Sequence, residues 1–202
     1  FLAYNSGKKT LYISTEAEQT QETIKQVIEH GHPNSETVLA VVESPDDIKT
    51  LFSHIYAKIA KNEFNFETIV FDHLGNLQEM IKRFYVSEGK EQKNAIDFDL
   101  TEKEPGWGKK NKTDAKVVKI IEMFTAIPDV NFILLAHRTE KYNDAQVQFI
   151  KPAVDGGDLI MNKICGALSL IGYMLTFKNG GKIHRGIQFQ TDDRLISRGH
   201  MN

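Results

Sequence analysis

Glu67-Thr68-Ile69-Val70-Phe71-Asp72-His73, running straight into Leu74-Gly75-Asn76-Leu77, is the stretch on which the fold turns. A short β-branched and aromatic run predicts a parallel strand buried on both faces. It stops on a single carboxylate. In open α/β sheets ligands collect at the carboxyl ends of the strands, so Asp72 is expected at that rim. A carboxylate there is suited to Mg²⁺, held directly or through water, because Mg²⁺ takes one or two carboxylates and otherwise substrate phosphates. The competing use of Asp72 is to cap the helix that follows.

Working outward, Ser44-Pro45-Asp46-Asp47 is a helix start, with a capping Ser, an early Pro and acids at the positive dipole end. Ile48, Leu51, Phe52, Ile55, Tyr56 and Ile59 keep helical spacing to about Lys61, so this helix and the Asp72 strand make a β-α-β unit with the strand at Thr37–Val42. Leu74, Leu77, Ile81, Phe84 and Tyr85 give the next helix its apolar face. Upstream, Thr10–Thr15 predicts a strand ending on Glu16, and Ile24, Val27 and Ile28 mark a helix from Glu18 to His30, closed by Gly31-His32-Pro33-Asn34. Downstream, the pattern fails from Ser87 to Lys112 and resumes as a helix at Val117, Ile120, Ile121 and Phe124. Pro128-Asp129 turns into Val130–Ala136, a second buried strand, ending on His137-Arg138. Thr139–Val154 is polar, Asp155–Ala167 holds a short helix, and Leu168–Phe177 with Lys182–Gln190 form a hairpin across Asn179-Gly180-Gly181. The expectation is an α/β fold, a three-layer α/β/α sandwich with a mostly parallel central sheet and a C-terminal β-hairpin. Glu16, Asp72 and His137 then recur at three strand ends along one edge of the sheet.

The 202 residues, 41% hydrophobic, suffice for one sizeable core, and one domain is expected over 1–202. With 25 Lys and Arg against 27 Asp and Glu, the net charge of −2 gives no global sign of a nucleic-acid binder. A local patch can still exist. Trp107, Lys109, Lys110 and Lys112 combine charge with a stacking ring in the irregular stretch, and Lys141 and Lys151 flank the segment after His137; solvated loops are the competing reading. The single cysteine, Cys165, is expected to pack in the core and fits a reducing cytoplasm. No run reaches membrane-spanning length, no signal peptide is visible, and the histidines lack ligand spacing for zinc.

In order and spacing, residues 1 to 195 resemble the RecA-like P-loop ATPase core, above all the compact members that bacteriophages carry for recombination and single-strand annealing. Phe1 to Glu16 looks like the end of the helix after the phosphate loop, a Gly-Lys-Lys turn, and the strand ending in the catalytic Glu. Glu67 to Leu77 is similar to the Walker B strand. Asn131 to His137 looks like the strand whose last polar residue senses the terminal phosphate, with His as in the RadA branch. One departure stands out: no G-x-x-x-x-G-K-[ST] occurs. Asn5-Ser6-Gly7-Lys8-Lys9-Thr10 imitates its letters, but a phosphate loop follows a strand and opens a helix, whereas here a helix precedes and a strand is expected to follow.

The resemblance implies that the family's first strand, phosphate loop and most of a helix precede Phe1; a natural pseudo-ATPase is the other expectation. It also implies ATP and Mg²⁺ as cofactors. Glu16 would orient or activate the attacking water, Asp72 would hold the water shell of Mg²⁺ on the nucleotide, and His137 would donate to the terminal phosphate. Arg194, in Asp192-Asp193-Arg194, would contact phosphate within its subunit or across an interface. The implied partners are single-stranded DNA, further copies of the chain in a homo-oligomer, and a single-strand-binding or annealing protein, with no membrane, in the cytoplasm of a host cell if phage-encoded. A non-hydrolysing assembly or adaptor module on the same fold is the alternative. A RadA-like or circadian-clock-type ATPase shares the chemistry without the DNA role.

Overall fold

The computed structural model describes residues 9–16, 18–30, 36–87, 106–142, 148–154 and 158–189. The chain divides into two compact units, Phe1–Ala136 and His137–Asn202.

In the first unit, β1 (Thr10–Ser14), β2 (Thr37–Val41), β3 (Thr68–Asp72) and β4 (Asn131–Leu134) form an all-parallel sheet in the order β2-β1-β3-β4. The helices are α1 (Glu18–Glu29), α2 (Pro45–Ala60), α3 (Leu74–Ser87) and α4 (Gly106–Thr125). The β1 and β3 runs are apolar on both faces because both faces are covered: Ile13, Ile69, Val70 and Phe71 are fully buried. Register then fixes the site. Ser14 stands opposite Val41 on one side and Asp72 on the other, so β1 and β3 end level.

Each helix carries its reason in the sequence. The Ser44 hydroxyl accepts the Asp47 amide at 3.2 Å and the Asp47 carboxylate accepts the Ser44 amide at 2.8 Å, a reciprocal cap that starts α2 with Pro45 in its first turn. Leu74, Leu77 and Ile81 of α3, and Val117, Ile121 and Phe124 of α4, are buried at helical spacing. Phe124 binds the layers together. Its ring lies 4.3 Å from Phe52 of α2, 5.6 Å from Phe71 of β3 and 5.3 Å from Phe132 of β4.

Two expectations are corrected, and a segment to which the sequence reading assigns no element gains two strands. Trp107, Lys109, Lys110 and Lys112 do not lie in an irregular loop; their backbone forms the opening turns of α4. β4, read as a buried strand through Ala136, is shorter and lies at the sheet edge, with Ile133 and Leu135 at 37% and 38% exposure. The polar segment Thr139–Val154 contains two strands, β5 (Arg138–Tyr142) and β6 (Gln148–Pro152), paired antiparallel.

The second unit continues with α5 (Asp158–Ala167) and the hairpin β7 (Tyr173–Asn179) and β8 (Lys182–Gln188). Gly180 and Gly181 have φ of +58° and +79°, the pair of positive angles that a two-residue hairpin turn demands. Cys165 is buried with Met161, Ile171 and Tyr173, as expected. Burial pushes the Tyr173 hydroxyl up to about 12, helped by the neighbouring Cys165, and pushes the Cys165 thiol up as well.

Candidate functional site

Thr15 stitches the level ends of β1 and β3 together. Its amide and its hydroxyl both donate to the Asp72 carbonyl, at 2.7 and 2.9 Å. The same hydroxyl accepts the His73 amide at 3.1 Å, and the Thr15 carbonyl accepts the Asn76 side-chain amide at 3.2 Å. The Asp72–His73 peptide is cis. Two chain segments some sixty positions apart thus leave the sheet as one rim.

Glu16 is held by its backbone and its carboxylate. Its amide donates to the Ser14 hydroxyl at 3.2 Å, and Gln21 of α1 reaches back to donate to its carbonyl at 2.8 Å. Glu16 Oε1 lies 2.9 Å from His73 Nε2, with the two side chains 21% and 12% exposed. Oε2 has no hydrogen-bond partner among the described residues. Asp72 repeats this division: Oδ2 accepts the hydroxyl of Tyr12, a buried residue of β1, and Oδ1 has no partner among the described residues. Each carboxylate is anchored through one oxygen and open through the other.

His73 stands at the N-cap of α3. Its Nδ1 accepts the Gly75 amide at 3.0 Å, with the Asn76 amide further off at 3.4 Å. Those donors require a lone pair on Nδ1, so in the neutral ring the proton sits on Nε2, which faces Glu16 Oε1. Gly75 makes room for this. A Cβ at that position would fall 3.0 Å from His73 Cε1.

The donor set fits Mg²⁺. Among the described residues no cluster of three or more His, Cys, Asp or Glu gathers to hold a metal by itself. One carboxylate with an open oxygen is what Mg²⁺ requires when phosphates and water fill its other positions. Lys9 belongs elsewhere: it enters β1 at the amino end, pairs with Glu36 at 2.7 Å and lies 5.4 Å over the Phe66 ring. Thr10 begins β1 directly, so a strand follows the Gly-Lys-Lys-Thr letters as expected; Gly7 and Lys8 lie outside the described residues.

Of the residues singled out from sequence, the structure brings Glu16 and Asp72 together. His137 opens the second unit as an exposed residue whose carbonyl accepts the Ala153 amide at 2.6 Å. Lys141 lies in β5 and Lys151 in β6, where the register pairs Lys141 with Phe149 and Thr139 with Lys151. Arg194 lies outside the described residues. Sequence reasoning missed Tyr12, Thr15, Gln21, His73 and Asn76. Only His73 carried a signal, a histidine between a strand-ending acid and a helix start.

Among the described residues no helix is long and apolar enough to cross a membrane. No curated protein matches the chain. The AAA domain family matches it over residues 1–200. The chain therefore belongs to the AAA domain family, with the nucleotide-binding, ATPase-like P-loop NTPase fold of that class.

Proposed function

We propose that this AAA-domain chain binds ATP with Mg²⁺ at the shared end of β1 and β3, hydrolyses it, and couples the turnover to single-stranded DNA in recombination or annealing, as a phage-type protein assembled with further copies of itself. The observation that carries the proposal is the matched pair of carboxylates on adjacent strand ends, each anchored through one oxygen and open through the other. Asp72 would hold the cation's water shell, and Glu16 Oε2 would accept a hydrogen bond from the attacking water and orient it. Mg²⁺, when bound, neutralises charge on the phosphate oxygens. His137 is the proposed donor to the terminal phosphate, and Arg194 a second proposed cation, within the subunit or across an interface.

Support for a polyanionic partner comes from the hairpin. From Leu159 to Thr191 there is no Asp or Glu, while Lys163, Lys178, Lys182 and Arg185 fall in that span. The exposed Phe177 and His184 rings stack at 5.4 Å on one face of the hairpin, and Met174 and Ile183 are exposed on its other face. Cations with open rings suit a backbone whose bases can stack. Trp107, Lys109, Lys110 and Lys112 on α4, and separately Lys141 and Lys151 on the β5–β6 ladder, remain proposed contacts for single-stranded DNA.

Two measurements test the proposal. Glu16→Gln should lower kcat for ATP by about 100-fold or more, the scale of a lost water-orienting base, while nucleotide binding persists. Replacing Lys178, Lys182 and Arg185 with Ala should flatten the salt dependence of single-stranded DNA binding by about 2 in log–log slope, at roughly 0.7 per phosphate released. An intact protein that assembles but neither binds nor turns over ATP supports the adaptor reading instead.

A further inference from the structure

We infer that His73 is a positioning residue that holds the Glu16 carboxylate over the end of β3 and ties that hold to the first turn of α3. The inference rests on the reading that Glu16 meets the attacking water, and its geometry stands apart from that reading. The ring is fixed from three directions. Its backbone amide is held by Thr15 at 3.1 Å, its Nδ1 receives the Gly75 amide at 3.0 Å, and its Nε2 faces Glu16 Oε1 at 2.9 Å. Because Nδ1 serves as the acceptor for the helix, Nε2–H is the donor left over, and Glu16 is where it points.

Three consequences follow for the chemistry. With its lone pair given to the helix cap, His73 has no basic nitrogen to offer a substrate; it acts through Glu16. Because Oε1 is taken, water can approach the carboxylate only at Oε2, so the hold selects one oxygen and one direction of approach. The hold also depends on α3. Any shift of the Gly75–Asn76 turn moves the ring, and the ring moves Glu16. Gly75 is part of the device, since the 3.0 Å approach to His73 Cε1 leaves no comfortable space for a side chain.

The test uses a substitution that separates the cap from the hold. Asn is among the best N-caps, so His73→Asn keeps an acceptor for the α3 amides but is too short to reach Glu16. In the full-length protein, His73→Asn should leave the thermal midpoint and the KM for ATP close to wild type and lower kcat by about tenfold, the scale of one lost hydrogen bond to a charged group. His73→Asn should add no further loss in a Glu16→Gln background, because both changes act through one carboxylate. Gly75→Ala should reproduce part of the kcat loss without altering either residue. Wild-type kcat in His73→Asn, or a loss that multiplies in the Glu16→Gln background, overturns the inference. Wild-type turnover by Glu16→Gln contradicts the reading of Glu16 instead. The nitrogen-15 imidazole spectrum, which requires no turnover, then decides the hold alone: an Nε2–H signal that Glu16→Ala shifts supports it, and an Nδ1–H ring or an unshifted signal overturns it.

Discussion

Thr15 shows why the site was only half legible at the scale of single residues. Asp72 and Glu16 could be read from the chain because a carboxylate after an apolar strand already says where it will lie. Thr15 and His73 could not, because their roles exist only once β1 and β3 end side by side. Thr15→Val removes the hydroxyl that serves Asp72 and leaves the partly buried His73 amide without its acceptor. We expect a cost of about 2 kcal/mol in denaturant unfolding, with Thr15→Ser recovering most of it. Lys116 of α4 offers a pH test. Burial pushes its ammonium down to about 8, so the folded state holds fewer protons than the unfolded state between that value and the usual lysine value near 10.4. Wild-type stability should therefore rise across that interval relative to Lys116→Met, which lacks the group; a difference that stays flat with pH contradicts the assignment.

Among elements, periodicity read well where a face is buried and failed where it is not. The strands β1, β2 and β3 and the helices α1, α2 and α3 stand close to where the sequence puts them, as does the Gly180-Gly181 hairpin turn. The first turns of α4 escaped because Gly106, Gly108 and the lysines carry no apolar stripe; the buried spacing begins near Thr113. β5 and β6 escaped because Arg138-Thr139-Glu140-Lys141 looks solvated and Pro152 discourages a strand reading, although Pro is tolerated at the end of an edge strand. The α2 cap gives the element-scale prediction. Burial raises the Asp47 carboxyl, but hydrogen bonds from the Ser44 hydroxyl and the Glu43 and Ser44 amides outweigh it and hold it below its usual value. Ser44→Ala should cost about 1 kcal/mol at neutral pH. The contribution of ionised Asp47 is present above the ordinary carboxylate range and is lost as pH falls through its lowered folded value, so the gap between wild type and Ser44→Ala should narrow in acid without closing, because the Ser44 hydroxyl still accepts the Asp47 amide.

For the molecule as a whole, the near-neutral total hides a division. Phe1–Ala136 carries sixteen Lys and Arg against twenty-one Asp and Glu, and His137–Asn202 carries nine against six. Nucleotide chemistry is proposed for the acidic unit, which supplies the carboxylates. The hairpin cations Lys178, Lys182 and Arg185 lie in the basic one. Composition summed over the chain could not show this, because the two excesses nearly cancel. The most direct test of the account is steady-state ATP hydrolysis by the full-length protein with Mg²⁺, wild type beside Glu16→Gln, with nucleotide binding measured on both. The account predicts turnover in the wild type, a loss of about 100-fold or more in Glu16→Gln, and ATP bound by both. Equal turnover in the two proteins, or ATP bound by wild type without turnover, would contradict it.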